Sequence, residues 1–193
     1  MYRRSLLVLR ALTDRRSGAA AAGAREGWAY VWPRDASAVA MALASAGYRA
    51  EARRVVRFLL SLDLEAAARF RGDGSPVAGR APQGDAAGWI EAAADAVGLP
   101  ASIPAQPQRN RADYQEGDPG DYLANAIASS SVDGPKRGAK SAQRGGLARF
   151  VTPRGLVREA GGGGSDLDSA AAWAVRPFPR PALFPLVRRT LLR

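Results

Sequence analysis

Hydrophobic and polar positions along this chain repeat mostly with the spacing of helices. Over residues 2–13, leucines at positions 6, 7, 9 and 12 fall on one broad helical face, and arginines at positions 3, 4 and 10 reach towards water, which predicts an amphipathic helix. Residues 36–46 are small and apolar on almost every side, a pattern that a helix tolerates when it packs against other helices. Residues 50–62 are amphipathic again. The short connection between these two segments predicts that their helices lie antiparallel as a hairpin.

The rest of the chain alternates shorter helical patterns with loops rich in glycine, proline and serine. Further helices are predicted over residues 86–97, 119–129 and 183–193, and after a capping Ser165 or Asp166. Two short apolar runs in residues 147–160 are joined by Thr-Pro-Arg-Gly, which permits a small β-hairpin. We expect residues 131–165 to form a flexible loop region. The predicted fold is all-α, with six or seven helices mostly in hairpin pairs.

Composition bounds the size of the core and the kind of partner. The chain has 193 residues and a hydrophobic fraction of 47%, which is enough for one well-buried domain. Its formal net charge is +10, so a basic helical nucleic-acid-binding domain is one alternative. The arginines are scattered, however, and no RNA- or DNA-binding module of basic and aromatic residues is present. We therefore expect an arginine-rich solvated surface and no nucleic-acid partner.

The chain contains neither cysteine nor histidine. Disulfides and thiolate metal sites are therefore excluded, and so is the commonest general base. Any chemistry must use carboxylates, hydroxyls or arginines, and we expect no cofactor and no metal. The N-terminal apolar run is interrupted by Arg10 and is interpreted as a helix instead of a signal peptide. No apolar run is long enough to span a membrane, so we expect a cytoplasmic location without a membrane partner, while the oligomeric state stays open.

One short stretch, GWAYVWPRDAS at residues 27–37, is too polar at its end for a core strand and too aromatic for an ordinary loop. Its candidate functional residues are three aromatic side chains and an adjacent pair of opposite charges: Trp28, Tyr30, Trp32, Arg34 and Asp35. The structural interpretation is a buried hinge with an Arg–Asp salt bridge. The functional interpretation depends on what surrounds the stretch.

The stretch lies between RRSLLVLRALTDRRSGA and AVAMALASAGYRAEARRVVRFLL. The whole string, with its Y-x-W-x-R-D centre and the later Gly-Tyr, resembles glycoside hydrolase family 15, the glucoamylase-like and trehalase-like enzymes. The resemblance is strong over residues 2–62 and fainter at residues 82–89 and 165–170. It is carried by the order of several motifs along the chain, which is more specific than the W-x-R-D core alone.

This resemblance implies an (α/α)₆ barrel of paired helices and inverting hydrolysis of α-glucosidic bonds from the non-reducing end. It implies that Arg34 and Asp35 bind hydroxyls of the terminal glucose, because a sugar needs both hydrogen-bond donors and acceptors. The three aromatic rings would wall the pocket, since the C–H faces of a pyranose pack on such rings. The implied partner is an α-glucoside: a malto-oligosaccharide, an isomalto-oligosaccharide or trehalose.

Inverting hydrolysis needs a general acid and a general base, with their carboxyl groups about 6.5–9.5 Å apart. The candidate acid is Glu116 in the segment ADYQEGDPGDY, which is similar to a family motif but has Gln115 where members have tryptophan. The alternative is a solvated acidic loop that caps the following helix. No counterpart of the family's base is found, and Glu159 and Asp168 receive no role.

A closed barrel of this type contains more helix pairs than the chain supplies, so we expect residues 1–193 to form a single incomplete catalytic domain. Two classes of function follow. The first is a glucoamylase-like hydrolase. The alternative is a non-catalytic carbohydrate-binding helical protein that uses Trp28, Trp32, Arg34 and Asp35.

Overall fold

Helices make up nearly all of the regular structure in the computed structural model, which describes residues 2–101, 103, 122–132, 146–160 and 166–192. The α-helices in these ranges are α1 (Tyr2–Ala11), α2 (Pro33–Ser45), α3 (Arg49–Leu60), α4 (Ala86–Val97), α5 (Leu123–Val132) and α6 (Phe184–Leu191). Three 3₁₀-helices span Gly146–Phe150, Ser169–Ala174 and Pro181–Leu183. The strands β1 (Val151–Thr152) and β2 (Gly155–Leu156) form a two-stranded antiparallel sheet. The all-α prediction is therefore confirmed.

The chain divides into two compact units. The first comprises Met1–Pro82 and Trp89–Ile103, and the second comprises Gln83–Gly88 and Pro104–Arg193. The single domain expected from length stays a prediction. None of the described helices is both long and apolar enough to cross a membrane.

The core of the first unit is built around the hairpin of α2 and α3, which pack against each other as predicted. Alanines on α2 such as Ala36 and Ala40 are fully buried, so the two backbones can approach closely. The α3 face towards them carries larger side chains, including Val55 and Leu59. Helix α2 begins at Pro33, earlier than the predicted residue 36, because proline has the φ angle of the first helical position and that position needs no N–H donor.

Helix α4 has the bounds that its apolar pattern predicted, and it buries Ile90, Ala93 and Val97. The carbonyl groups in the last turn of a helix have no partner within the helix. Here the Arg53 side chain from α3 supplies one, because its Nε donates a hydrogen bond to the Val97 carbonyl at 3.0 Å. Arginine at this end also suits the negative end of the helix dipole.

The loop after α1 is ordered by one carboxylate. Asp14 Oδ1 accepts hydrogen bonds from the backbone N–H groups of Arg16 and Ser17 and from the Ser17 hydroxyl, at 2.9, 2.6 and 2.9 Å. Because these bonds favour the ionised form, those from Ser17 above all, the pKa of Asp14 lies below its usual value. The loop then folds back so that Gly18 lies against the backbone of Arg54.

The second unit holds the β-hairpin against α6. Thr190 on α6 is buried, and its hydroxyl accepts a hydrogen bond from the Leu156 N–H at 2.8 Å and donates one to the Leu186 carbonyl at 2.7 Å. Gly155 is needed beside it, because a Cβ atom there would lie 2.5 Å from Thr190 Oγ1. The permitted hairpin is thus present. Of the predicted loop region, residues 131–132 end α5 and residues 146–160 form a 3₁₀-helix followed by this hairpin.

Three helix boundaries in the second unit differ from the sequence predictions. The segment after residue 168 is a 3₁₀-helix, and its N-cap is Asp168, whose Oδ1 accepts from the Ala170 N–H at 2.9 Å. Asp166 is instead paired with Arg158 at 3.1 Å, and Ser165 lies outside the described residues.

Helix α5 begins at Leu123, after the undescribed Pro119. The C-terminal helix is preceded by a separate 3₁₀ turn, Pro181–Leu183.

The close approach at Gly18 provides a test of the first unit. Gly18 has a φ of +85° and a Cβ atom there would collide with the carbonyl of Arg54, whereas Gly27 has a φ of +81° with nothing within 4 Å. We expect Gly18→Ala to lower the free energy of unfolding by about 3 kcal/mol and Gly27→Ala by about 1 kcal/mol, because only the first adds a steric clash to the left-handed strain. Urea denaturation measures both, and equal losses would contradict the packing of Gly18 on α3.

Candidate functional site

Aromatic rings and guanidinium groups are packed together just before α2. Arg69 Cζ lies 4.8 Å from the ring centroid of Tyr30 and 5.7 Å from that of Trp32, and Arg80 Cζ lies 5.4 Å from Trp32. The Trp28 and Trp32 centroids are 6.4 Å apart with the rings tilted by 35°. These five residues are called the aromatic–guanidinium cluster below. Each guanidinium lies within the range in which a cation is attracted to an aromatic face.

A backbone bridge explains why distant residues meet in this cluster. Val31 and Phe70 exchange both backbone hydrogen bonds, at 2.8 and 2.9 Å, and both side chains are buried. Side chains alternate between faces along an extended chain. The neighbours of the bridged pair, Tyr30 and Trp32 on one segment and Arg69 on the other, therefore lie on the opposite face from Val31 and Phe70. That shared face brings Arg69 to both rings.

The aromatic residues of the stretch differ in exposure. The exposed fraction is 59% for Trp28 and 6% for Trp32, while Tyr30 is half-buried. The indole Nε1 of Trp32 is buried without a hydrogen-bond partner among the described residues. The ring of Trp32 is thus already contacted by protein groups, and Trp28 is the ring that presents a face to solvent.

Arg34 and Asp35 follow in the first turn of α2, and both are half-buried. A carboxylate in a first turn is favoured by the positive end of the helix dipole, so local helix chemistry alone stabilises Asp35 where it lies. Within the described part of the chain, Asp35 forms no hydrogen bond or ion pair with its side chain. The structural interpretation as an Arg34–Asp35 salt bridge is therefore not what the structure contains, and the carboxylate oxygens of Asp35 are available as acceptors.

Glu116, the predicted general acid, lies outside the described residues, so its role stays a prediction. The two carboxylates that received no role are described: Glu159 is exposed, with an oxygen 3.9 Å from Arg158 Nε, and Asp168 is buried as a helix cap. No group of three or more Asp or Glu residues that could hold a metal ion occurs within the ranges that the structure describes.

Arg69 and Arg80 are the residues of the cluster that sequence reasoning missed. Arg80 belongs to residues 71–84, which read as an ordinary loop rich in glycine and proline, and Arg69 lies just before that loop. Nothing near Arg69 in the sequence signals contact with Trp32, because that contact depends on the bridge between Val31 and Phe70. A weak signal existed in Phe70 itself, a large apolar residue directly before a polar loop.

Comparison with known proteins relates the N-terminal third of the chain to a family. The family described as Glycosyl hydrolases family 15 matches residues 1–67, a segment that includes all five predicted binding residues. No curated protein matches the chain significantly. Among solved structures, a glycosidase with a glutamate-to-alanine substitution superposes with a TM-score of 0.68 at 19% identity. A glycosidase with a tyrosine-to-phenylalanine substitution and one with a phenylalanine-to-tyrosine substitution at a different position each superpose with a TM-score of 0.67 at 20% identity.

Each of these superpositions covers 96% of this chain and 66% of the glycosidase chain, so the chain spans just under two thirds of the length of the solved structures. At these identities the superpositions establish the fold, and the match over residues 1–67 connects it to a sequence family. The resemblance drawn from the sequence is confirmed: the chain is similar to glycoside hydrolase family 15 in sequence over its first 67 residues, and over nearly all of its length it has the fold of the solved glycosidase structures.

Proposed function

We propose that this chain forms part of the substrate site of an α-glucoside hydrolase that acts from the non-reducing end with inversion. The observation that carries the proposal is the position of Asp35, whose carboxylate makes no hydrogen bond within the described residues. It lies three residues after Trp32 and inside the segment matched by the family. An available carboxylate beside an ordered aromatic wall is suited to hold a hydroxyl-bearing ring.

The roles divide according to exposure and charge. Arg34 donates to sugar hydroxyls through a planar guanidinium, and Asp35 accepts from them. Trp28 supplies the exposed apolar face on which the C–H groups of a pyranose pack. Trp32 and Tyr30 form the wall behind it and are held in place by Arg69.

Bond cleavage is assigned to a different residue. Glu116 is the proposed general acid that protonates the leaving oxygen, while a second carboxylate must activate water. The described binding residues account for holding a sugar and do not include such a pair. This favours, as a second candidate, carbohydrate binding without turnover, and the measurements below separate the two.

The aromatic wall gives the first test. We expect Trp32→Ala to lower the free energy of unfolding by about 3–5 kcal/mol, because it empties a buried site, whereas Trp28→Ala changes it by about 0.5 kcal/mol or less. Trp28→Ala should raise the Kd for maltose at least about fivefold through the loss of an apolar stacking face. Urea denaturation and isothermal titration calorimetry measure the two quantities, and unchanged maltose binding in Trp28→Ala would contradict the role of that ring.

The charge of Asp35 gives the second test of sugar binding. Asp35→Asn keeps the shape of the side chain but removes a charged acceptor, so we expect the Kd for maltose, isomaltose or trehalose to rise about tenfold or more. Asp95→Asn, the same change at an exposed position on α4, is the control and should bind as the parent chain does. Circular dichroism should show unchanged helix content in both. Equal affinity in Asp35→Asn and Asp95→Asn would remove Asp35 from the sugar site.

Turnover tests the catalytic half of the proposal. If Glu116 is the acid, Glu116→Gln should reduce glucose release from the three disaccharides at least about 100-fold without altering their Kd, and Asp118→Asn on the same segment should retain activity. The anomer released, followed by proton NMR, should be inverted. Full activity in Glu116→Gln would refute the assignment, and saccharide binding by the parent chain without any glucose release would establish the second candidate.

A further inference from the structure

A small cavity opens where the loop after α1 faces α3, apart from the residues assigned to sugar binding. Its volume is about 190 Å³, and its charged lining consists of three arginines and two carboxylates: Arg10, Arg15, Arg54, Asp14 and Glu51. All of these belong to the first unit. The name α1–α3 cavity is used for this space. Arg15 is exposed and Arg54 is half-buried.

Both carboxylates of the α1–α3 cavity are already committed to the protein. Glu51 is paired with Arg10 at 3.5 Å, and Asp14 orders its own loop through the N–H and hydroxyl groups described above. Arg10 is fixed in turn, because its Cζ lies 4.8 Å from the ring centroid of Tyr48. One oxygen of each carboxylate, Asp14 Oδ1 and Glu51 Oε1, is therefore already engaged by the protein.

The arginines that line the cavity outnumber its carboxylates. Three guanidinium groups stand against two carboxylates, and neither Arg15 nor Arg54 forms an ion pair with its side chain within the described residues. Two planar donor groups from separate elements, a loop and a helix, thus border one space without a protein acceptor. Guanidinium groups in this situation bind oxyanions through paired N–H donors.

We propose that the α1–α3 cavity binds a phosphate group, either as inorganic phosphate or as the phosphate of a small ester. A cavity of about 190 Å³ has room for a single phosphate group, and the phosphate oxygens can accept hydrogen bonds from both guanidinium groups. Thr13 also lines the space, but its hydroxyl donates to the Leu9 carbonyl at 2.7 Å, so the arginines supply the donors. This site is independent of the proposed hydrolase activity.

Titration calorimetry of the 193-residue chain with inorganic phosphate at low ionic strength tests the site. We expect one saturable site, and we expect Arg54→Gln and Arg15→Gln each to raise the Kd at least about tenfold, which is about 1.4 kcal/mol of binding free energy. Arg54→Lys keeps the charge but loses the planar pair of donors. Its Kd for phosphate should therefore lie between those of the parent chain and of Arg54→Gln. Two controls remove the same charge from exposed neighbours outside the lining, Arg57→Gln on α3 and Arg16→Gln in the loop, and should change the Kd less than about twofold.

The outcomes separate the possible sources of binding. Tighter binding of glycerol 3-phosphate than of inorganic phosphate identifies an ester as the ligand, and equal binding identifies the phosphate group alone; uncharged glycerol should not bind. Equal weakening by Arg57→Gln and Arg54→Gln would show a general effect of surface charge and overturn the proposal, as would the absence of saturable phosphate binding by the parent chain. Maltose affinity should be unchanged in Arg54→Gln, so failure of this site and failure of the sugar site are distinguishable.

Discussion

Two backbone hydrogen bonds between Val31 and Phe70 hold the chain in place just before α2, and the candidate sugar site depends on them. The bridge buries both side chains and fixes which face of the extended segment each neighbour occupies. Trp32, the residue after the bridged Val31, is the N-cap of α2, so the helix begins directly after the bridged segment. A shift of one residue would move Tyr30 and Trp32 to the core face and take Arg69 away from them.

The excess of arginine has structural consequences that the net charge alone does not reveal. Arg69 and Arg80 lie against aromatic rings, and Arg53 completes the C-terminal turn of α4. Arginine is suited to both roles because its guanidinium is planar, weakly hydrated and rich in donors. Part of the positive charge is therefore used inside the first unit to hold rings and helix ends. The sequence predicted an arginine-rich solvated surface, whereas these arginines pack against rings and a helix end.

The sequence predicts those helices, and that helix pairing, which depend on the local spacing of apolar residues. The pairing of α2 with α3 and the bounds of α4 follow from runs of apolar positions whose spacing needs no distant partner. The 3₁₀-helix after Asp168 was read as an α-helix because Ser-Ala-Ala-Ala-Trp-Ala has good helix propensity. Prolines at 177, 179 and 181 follow closely, and they remove the N–H donors that a longer helix would need.

The residues of the candidate site could be predicted in part, because some of them are neighbours in the sequence. Trp28, Tyr30, Trp32, Arg34 and Asp35 are neighbours in the chain, so their motif was visible. Their environment was not, because Arg69 and Arg80 reach the rings only through a pairing between distant segments. The difference matters for function. A motif with two tryptophans reads as two equivalent sugar platforms, yet guanidinium groups already contact the buried ring of Trp32, while Trp28 is exposed. One ring is therefore fixed as a wall, and only the other is free to pack against a ligand.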